Sequence, residues 1–201
     1  MNEELNKLLK YKGVIFDLDG TLVNSMPLHI KAWQKTVSKY GIILDEAWLY
    51  AHGGVPSKTI AKMIIERFNL KDLTPEYIAK IKTQNYLETI NEVQVYPKML
   101  KVLEFLKEHN IPMAIGTGTL RSNALIILEN TPLKNYISHI VSADDVEKHK
   151  PDPETFLVAA KLINVEPKDA VVFEDTPLGI ECAKRGNFST IFVKDGIPKI
   201  L

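Results

Sequence analysis

The sequence predicts an α/β fold: a doubly wound parallel sheet with an α-helical cap domain inserted after the first strand. Three observations predict it. Short apolar runs bounded by turn residues alternate with helical patterns over most of the chain. Prolines stand where several of those helices should begin. One long stretch, from about Ser25 to Val93, carries helical patterns and no strand signal. Short continuous apolar runs suit strands buried on both faces, and strand–helix–strand succession argues for a parallel sheet covered on both sides.

The elements follow in order. Val14-Ile15-Phe16 is the first strand-like run and ends in acidic residues and Gly20. The stretch after it divides into three helical patterns: Pro27 to Tyr40, stopped by Gly41; Ser57 to Phe68, with Ile60, Ile64 and Phe68 at four-residue steps; and Pro75 to about Ile90, with Thr74 as N-cap. Pro97 to His109 sets Leu100, Leu103 and Leu106 on one side, flanked by Val102 and Phe105. Met113-Ala114-Ile115 is a second strand, closed by Gly116-Thr117-Gly118, and His139 to Ser142 a weaker third. Pro153 to Asn164 repeats the helical spacing through Phe156, Ala159, Ala160 and Ile163. Ala170 to Phe173 is a fourth strand, ending at Glu174-Asp175, and Thr190 to Val193 a fifth. Pro97, Pro153 and Pro177 fall at expected first helical turns, where the missing N–H costs nothing. The domains divide as 1–24 with 93–201 for the sheet and 25–92 for the cap.

Composition narrows the function classes. The chain has 201 residues, 45% hydrophobic and 25% charged, with 25 basic and 25 acidic side chains and a formal net charge of zero. That balance shows no basic excess of the kind a nucleic-acid binder carries, and no apolar run is long enough for a transmembrane helix. Residues Met1 to Lys12 lack the apolar core of a signal peptide. The expectation is a cytoplasmic monomer without nucleic-acid or membrane partners. The one cysteine, Cys182, lies in a helical run beside Ile180 and Ala183 and reads as a small core residue.

Four segments carry chemistry. In Phe16-Asp17-Leu18-Asp19-Gly20-Thr21, side-chain alternation starts Asp17 and Asp19 on one side, at the carboxyl end of a strand where open α/β sheets bind ligands. Two adjacent carboxylates need a cation or unequal environments, which suits a nucleophile beside an acid/base. The pair alone is equally readable as acids capping a turn. Glu174-Asp175 ends another strand; with alternating directions one of them would reach a metal, and an all-oxygen site suits Mg²⁺. Read alone, the pair is a favourable charge at a helix N-terminus. Thr117-Gly118-Thr119 offers a hydroxyl and backbone N–H groups before a helix, an anion site or a plain N-cap. Lys150, fixed in direction by Pro151, could offset the carboxylates and hold a phosphoryl group, or simply be solvated.

In this order the segments resemble the haloacid dehalogenase (HAD) superfamily over nearly the whole chain, with its Rossmann-like core. The superfamily's DxDGT motif stands as Asp17-Leu18-Asp19-Gly20-Thr21, its strand-end hydroxyl as Thr117, its Lys-Pro as Lys150-Pro151 and its late acidic pair as Glu174-Asp175. The resemblance implies that Asp17 attacks phosphorus, that Asp19 serves as acid and base, and that Thr117, the Gly118 amide and Lys150 hold the phosphoryl oxygens. It also implies Mg²⁺ held by Asp17, the Asp19 carbonyl and Asp175, with Glu174 close by. The founding dehalogenases lack the second aspartate, so Asp19 argues for phosphate chemistry.

The helical cap resembles that of the β-phosphoglucomutase and sugar-phosphate phosphatase group. This implies substrate contacts from His29, from the loop holding Gly54, Ser57 and Lys58, and from Lys82. Without the family, His29 would read as a half-buried helix residue, Trp33 as core and Lys82 as an exposed helix lysine. The mutases carry an arginine where Ser57 stands, and Lys58 is a point charge rather than a bidentate fork. The departure favours hydrolysis, as in the bacterial phosphatases acting on fructose 1-phosphate. The resemblance thus implies a Mg²⁺-dependent phosphatase of a small sugar phosphate, whose cap closes over the substrate on hinges near 24–27 and 92–97. The alternatives are a β-phosphoglucomutase moving phosphate between C1 and C6 of glucose phosphate and, more remotely, a phospho-aspartate signalling receiver or an idle sugar-phosphate sensor.

Overall fold

The computed structural model describes residues 2–200; Met1, part of the N-terminal segment read above, and Leu201 lie outside the described residues. Two compact units emerge. One is built from the chain up to Asn24 together with Gln94 onward, the other from Ser25–Val93.

The first unit carries the sheet. Its strands are β1 (Gly13–Phe16), β2 (Met113–Gly116), β3 (His139–Val141), β4 (Ala170–Glu174), β5 (Ser189–Lys194) and β6 (Ile197–Pro198), in the order β3-β2-β1-β4-β5-β6. β1 to β5 are parallel, and β6 runs antiparallel on the edge. The chain fills one side of β1, then crosses back to fill the other, so the order reverses between β1 and β4. That is where a doubly wound sheet opens a ligand crevice.

β1, β2 and β4 are buried at every residue. Ile15, Ala114, Val141 and Val172 pack against Phe156, Ala159, Ala160 and Ile163 of α8 (Glu154–Leu162) and its end, and against Cys182 and Ala183 of α9 (Pro177–Arg185). Alternation sends Val14, Phe16, Val171 and Phe173 to the other face. They too are fully buried, so both faces are covered. Burial pushes the Cys182 thiol up to about 12, which suits a core residue and not a reactive one.

Several details depart from the sequence reading. α6 (Pro97–Glu108) turns Met99, Val102, Leu103 and Leu106 inward, leaving Leu100 and Phe105 half-buried. Pro153 is the residue before α8 rather than its first, whereas Pro97 and Pro177 do open their helices. β6 was not anticipated. It follows Asp195 and Gly196, both at positive φ (50° and 70°), and Lys194 pairs with Ile197. An Asp-Gly pair is a strong two-residue hairpin signal, and a Cβ on Gly196 would lie 2.1 Å from the Tyr96 ring. The short α1 (Asn2–Asn6), the following turn that buries Leu8, and α7 (Arg121–Glu129) complete the unit's main helices.

The second unit comprises α2 (Met26–Ser38), α3 (Glu46–Ala51), α4 (Ser57–Phe68) and α5 (Pro75–Leu87), followed by a single turn at Ile90–Glu92. Ile30, Trp33 and Val37 of α2, Leu49 of α3, Ile60, Ala61 and Ile64 of α4, and Ile78 of α5 form its core. α3 was missed because six residues with one buried leucine give no periodicity; its N-cap Asp45 accepts from the Ala47 N–H at 2.9 Å. The crossing segments pair inside the first unit, where Val23 bridges Val95 and the Asn24 N–H donates to Gln94 O at 2.9 Å. No helix among the described residues is long and apolar enough to cross a membrane.

Candidate active site

The register of β1 against β4 sets Phe16 beside Phe173. The next residues, Asp17 and Glu174, therefore leave the sheet side by side, and the Asp17 N–H donates to Phe173 O at 2.9 Å. Gly20 then turns the chain with φ 83°, and a Cβ there would lie 2.3 Å from Asp175 Oδ2. Glycine is needed at this point both for the backbone and for the room it leaves. Thr21 uses that closeness: its hydroxyl donates to Asp175 Oδ1 at 2.8 Å.

Lys150 binds the two acid pairs into one site. Its Nζ lies 2.6 Å from Asp17 Oδ1 and 2.7 Å from Glu174 Oε2, and 4.5 Å from the centre of the Phe156 ring. Burial alone would lower its pKa, but the charges of Asp17 and Glu174 win and raise it, so Lys150 is cationic. Glu174 is satisfied at both oxygens. Oε1 accepts from the N–H groups of Asp175 and Thr176 at 3.0 and 2.9 Å and from the Thr176 hydroxyl at 2.9 Å, while Oε2 holds Lys150. Its carboxylate lies against α9, where a Cβ on Gly179 would fall 1.7 Å from Oε2.

One lysine does not balance this edge. Burial and then the charge of Glu174 push the Asp17 carboxyl well above the usual carboxylate range against the pull of Lys150. Burial and then the same charge push Asp175 up to about 7. Asp17, Glu174 and Asp175 offer oxygens that lie within 4.8 Å of one another. Clustered, desolvated, all-oxygen donors short of positive charge fit a hard divalent cation.

β2 supplies the facing loop. The Thr117 N–H donates to Val141 O at 2.9 Å, and the Thr117 hydroxyl accepts from the Thr119 N–H at 3.1 Å. Gly118 is exposed, with open space where a Cβ would stand. The Thr119 hydroxyl donates to Asp19 Oδ2 at 2.6 Å. Thr21 and Thr119 lie inside segments that the sequence singled out but had no role assigned there, and Thr176, whose hydroxyl donates to Glu174 Oε1 at 2.9 Å, was not singled out at all. Thr176 stands two residues after the strand-end Glu174, whereas which acids Thr21 and Thr119 meet depends on the packing of separate strands.

The expected residues of the helical unit separate into two sets. His29 and Lys82 come together: Nζ lies 2.7 Å from His29 Nδ1, and the imidazole stacks on Tyr86 at 4.1 Å. An ammonium only donates, so Nδ1 would be the acceptor in this bond. Lys82 is 5% exposed and lies 5.0 Å from the centre of the Tyr86 ring, so the exposed-lysine alternative fails. Gly54, at φ 81°, and Ser57, the first residue of α4, belong to a different loop. Lys58 pairs with Glu76 at 2.6 Å on the exposed surface.

Comparisons with known proteins give the family. The sequence model of a family described as haloacid dehalogenase-like hydrolase matches residues 14–193. The chain is 36% identical over 187 residues to fructose-1-phosphate phosphatase YqaB of Escherichia coli, covering 92% of this chain and 97% of that one. It is 30% identical over 181 residues to a phosphorylated carbohydrates phosphatase of Thermotoga maritima, covering 90% and 84%. Among solved structures, β-phosphoglucomutase from Clostridium difficile superposes with a TM-score of 0.81 at 26% identity, covering 91% and 84%.

Proposed function

The chain belongs to the haloacid dehalogenase-like hydrolases, and from that premise we propose that it is a Mg²⁺-dependent phosphatase hydrolysing a small sugar phosphate through an aspartyl-phosphate intermediate. The observation that carries the reading is the buried acid edge, in which Lys150 joins Asp17 to Glu174 and the oxygens of Asp17, Glu174 and Asp175 converge. The phosphatase names of the two relatives support the reaction class, and this chain's own match to a hydrolase family speaks against the receiver and the idle sensor.

In this reading the Asp17 carboxylate attacks phosphorus and the ester oxygen departs with a proton from Asp19. Asp19 then takes a proton from the water that attacks the aspartyl phosphate, releasing inorganic phosphate and restoring Asp17. Lys150, the Thr117 hydroxyl and the Gly118 amide hold the phosphoryl oxygens. Asp17, the Asp19 carbonyl and Asp175 would hold Mg²⁺. When bound, the ion offsets the negative charge between carboxylate and phosphate. Glu174, satisfied at both oxygens, serves by fixing Lys150 and the backbone of residues 175 and 176. The helical unit supplies selection among sugars, with His29, Lys82, Gly54, Ser57 and Lys58 as its candidates. The protein acts as a cytoplasmic monomer.

A phosphomutase is the second reading, favoured by the likeness to the Clostridium difficile enzyme. Ser57 in place of an arginine argues against it, as does the engagement of Lys58 by Glu76. The test is phosphate release from a panel of sugar phosphates, fructose 1-phosphate and β-glucose 1-phosphate among them, with Mg²⁺ and with EDTA. A bisphosphate activator and detection of glucose 6-phosphate run in parallel. Phosphate release that EDTA abolishes, without isomerisation, is expected; isomerisation with little free phosphate would establish the mutase.

A further inference from the structure

We infer that Thr119 is a positioning residue for the acid/base: its hydroxyl holds the Asp19 carboxylate in the orientation from which the leaving group is protonated. The inference rests on the role given to Asp19 above and extends it to a residue to which neither the motifs nor the resemblance assigned a part.

Asp19 needs such a partner. It follows the end of β1, is half-buried, and precedes Gly20, where the backbone turns away at φ 83°. An aspartate has two side-chain torsions to fix, and a misdirected acid is a poor one even when its proton is available. The Thr119 hydroxyl donates to Asp19 Oδ2 at 2.6 Å, the length of a charge-assisted bond. Holding one carboxylate oxygen fixes the direction of the other.

The hydroxyl is itself held. Thr119 is β-branched, so its χ1 is stiff. Its backbone is pinned on both sides, the N–H to the Thr117 hydroxyl at 3.1 Å and the carbonyl to the Ala143 N–H at 3.0 Å. The turn carrying Ala143 is closed by a reciprocal Ser142–Asp145 cap, and Asp145 also binds Arg121 at 2.7 Å. β2 and β3 therefore brace one hydroxyl against the acid that follows β1.

A threonine two residues before a helix invites a capping explanation, and the structure removes it. α7 begins at Arg121, its cap position is Leu120, and its first N–H, that of Arg121, donates to Asp144 Oδ2 at 2.6 Å rather than to Thr119. The Thr119 hydroxyl is directed to Asp19 instead.

The test compares Thr119→Val, which keeps the shape and loses the hydroxyl, with Thr119→Ser, which keeps the hydroxyl. Thr119→Ala runs alongside, so that poor folding of one variant does not decide the result. Each is assayed with Mg²⁺ on fructose 1-phosphate, whose alkoxide leaving group needs a proton, and on p-nitrophenyl phosphate, whose leaving group does not. For Thr119→Val and Thr119→Ala, kcat/KM on fructose 1-phosphate should fall about 30-fold, a part of what a general acid contributes. On p-nitrophenyl phosphate it should stay within about 3-fold. Thr119→Ser should restore the sugar phosphate to within about 3-fold of the parent. Equal losses on both substrates, no loss on either, or failure of Thr119→Ser to rescue would overturn the inference. Asp19→Ala separates the two levels. If it shows the leaving-group difference and Thr119→Val does not, the positioning role alone is wrong. If Asp19→Ala shows none, the role of Asp19 falls and the inference with it.

Discussion

The strand-end edge of the α/β unit and the helical unit use charge in opposite ways. At the edge, Lys150, Asp17 and Glu174 are buried together, and hydroxyl groups of Thr21, Thr119 and Thr176 hold the acids one by one. In the helical unit, Lys82 is buried against His29 and two aromatic rings, Trp33 and Tyr86, while Lys58 lies on the surface in a pair with Glu76 that water and salt screen. A buried charge commits the surrounding structure to it. The difference teaches that the edge is fixed by its own fold, whereas the candidates of the helical unit divide into a buried pair and an exposed one.

The comparison predicts a graded set of losses. Lys150→Met should have the largest effect. It leaves Asp17 and Glu174 buried without their cation, a loss of about 3–5 kcal/mol in stability, and lowers kcat by about 10² to 10³-fold if Lys150 holds the phosphoryl group. Urea unfolding and phosphate release read the two effects; a change under 1 kcal/mol would mean that the edge is not the committed cluster described. Gly179→Ala comes next. Its new Cβ would collide with the Glu174 carboxylate, and relaxing the clash should cost about 1–3 kcal/mol, although alanine is the better helix former. A gain in the melting temperature would contradict the packing of Glu174 against α9. Lys82→Met, which keeps the aliphatic stem among the rings, should change the ranking of sugar phosphates. It should leave kcat/KM on p-nitrophenyl phosphate within about 3-fold, as expected of uniform binding lost with the sugar. Lys58→Ala should do least, within about 0.5 kcal/mol, since exposed pairs contribute little. A larger loss of stability there would erase the contrast between the two sets.

Much of this was legible in the residues. The strands read clearly because Val14 to Phe16, Met113 to Gly116 and Ala170 to Phe173 are buried on both faces and so are apolar throughout. The strand-end acids read as a group because parallel strands bring their carboxyl ends to one edge. What escaped was short or relational. β6 has two residues and α3 six, too few for any period to register, although Asp195-Gly196 marked the hairpin. The parts of Thr21 and Thr119 depend on which carboxylate each hydroxyl meets across the sheet. Gly179 reads as a weak helix residue until the Glu174 carboxylate is seen against it. Lys82 reads as a surface lysine because Trp33 and His29 lie on one helix and Tyr86 on its own, and no single helical pattern assembles them.

The most direct test of the covalent mechanism is to look for the phosphoryl group on the protein. The enzyme, loaded with Mg²⁺, is mixed with p-nitrophenyl phosphate, quenched in acid within the first turnover, and its peptides are examined by mass spectrometry. One phosphoryl group on Asp17, absent from Asp17→Asn together with all turnover, is the predicted result. Phosphate release by an Asp17→Asn protein, or a phosphoryl group carried on another residue, would contradict it.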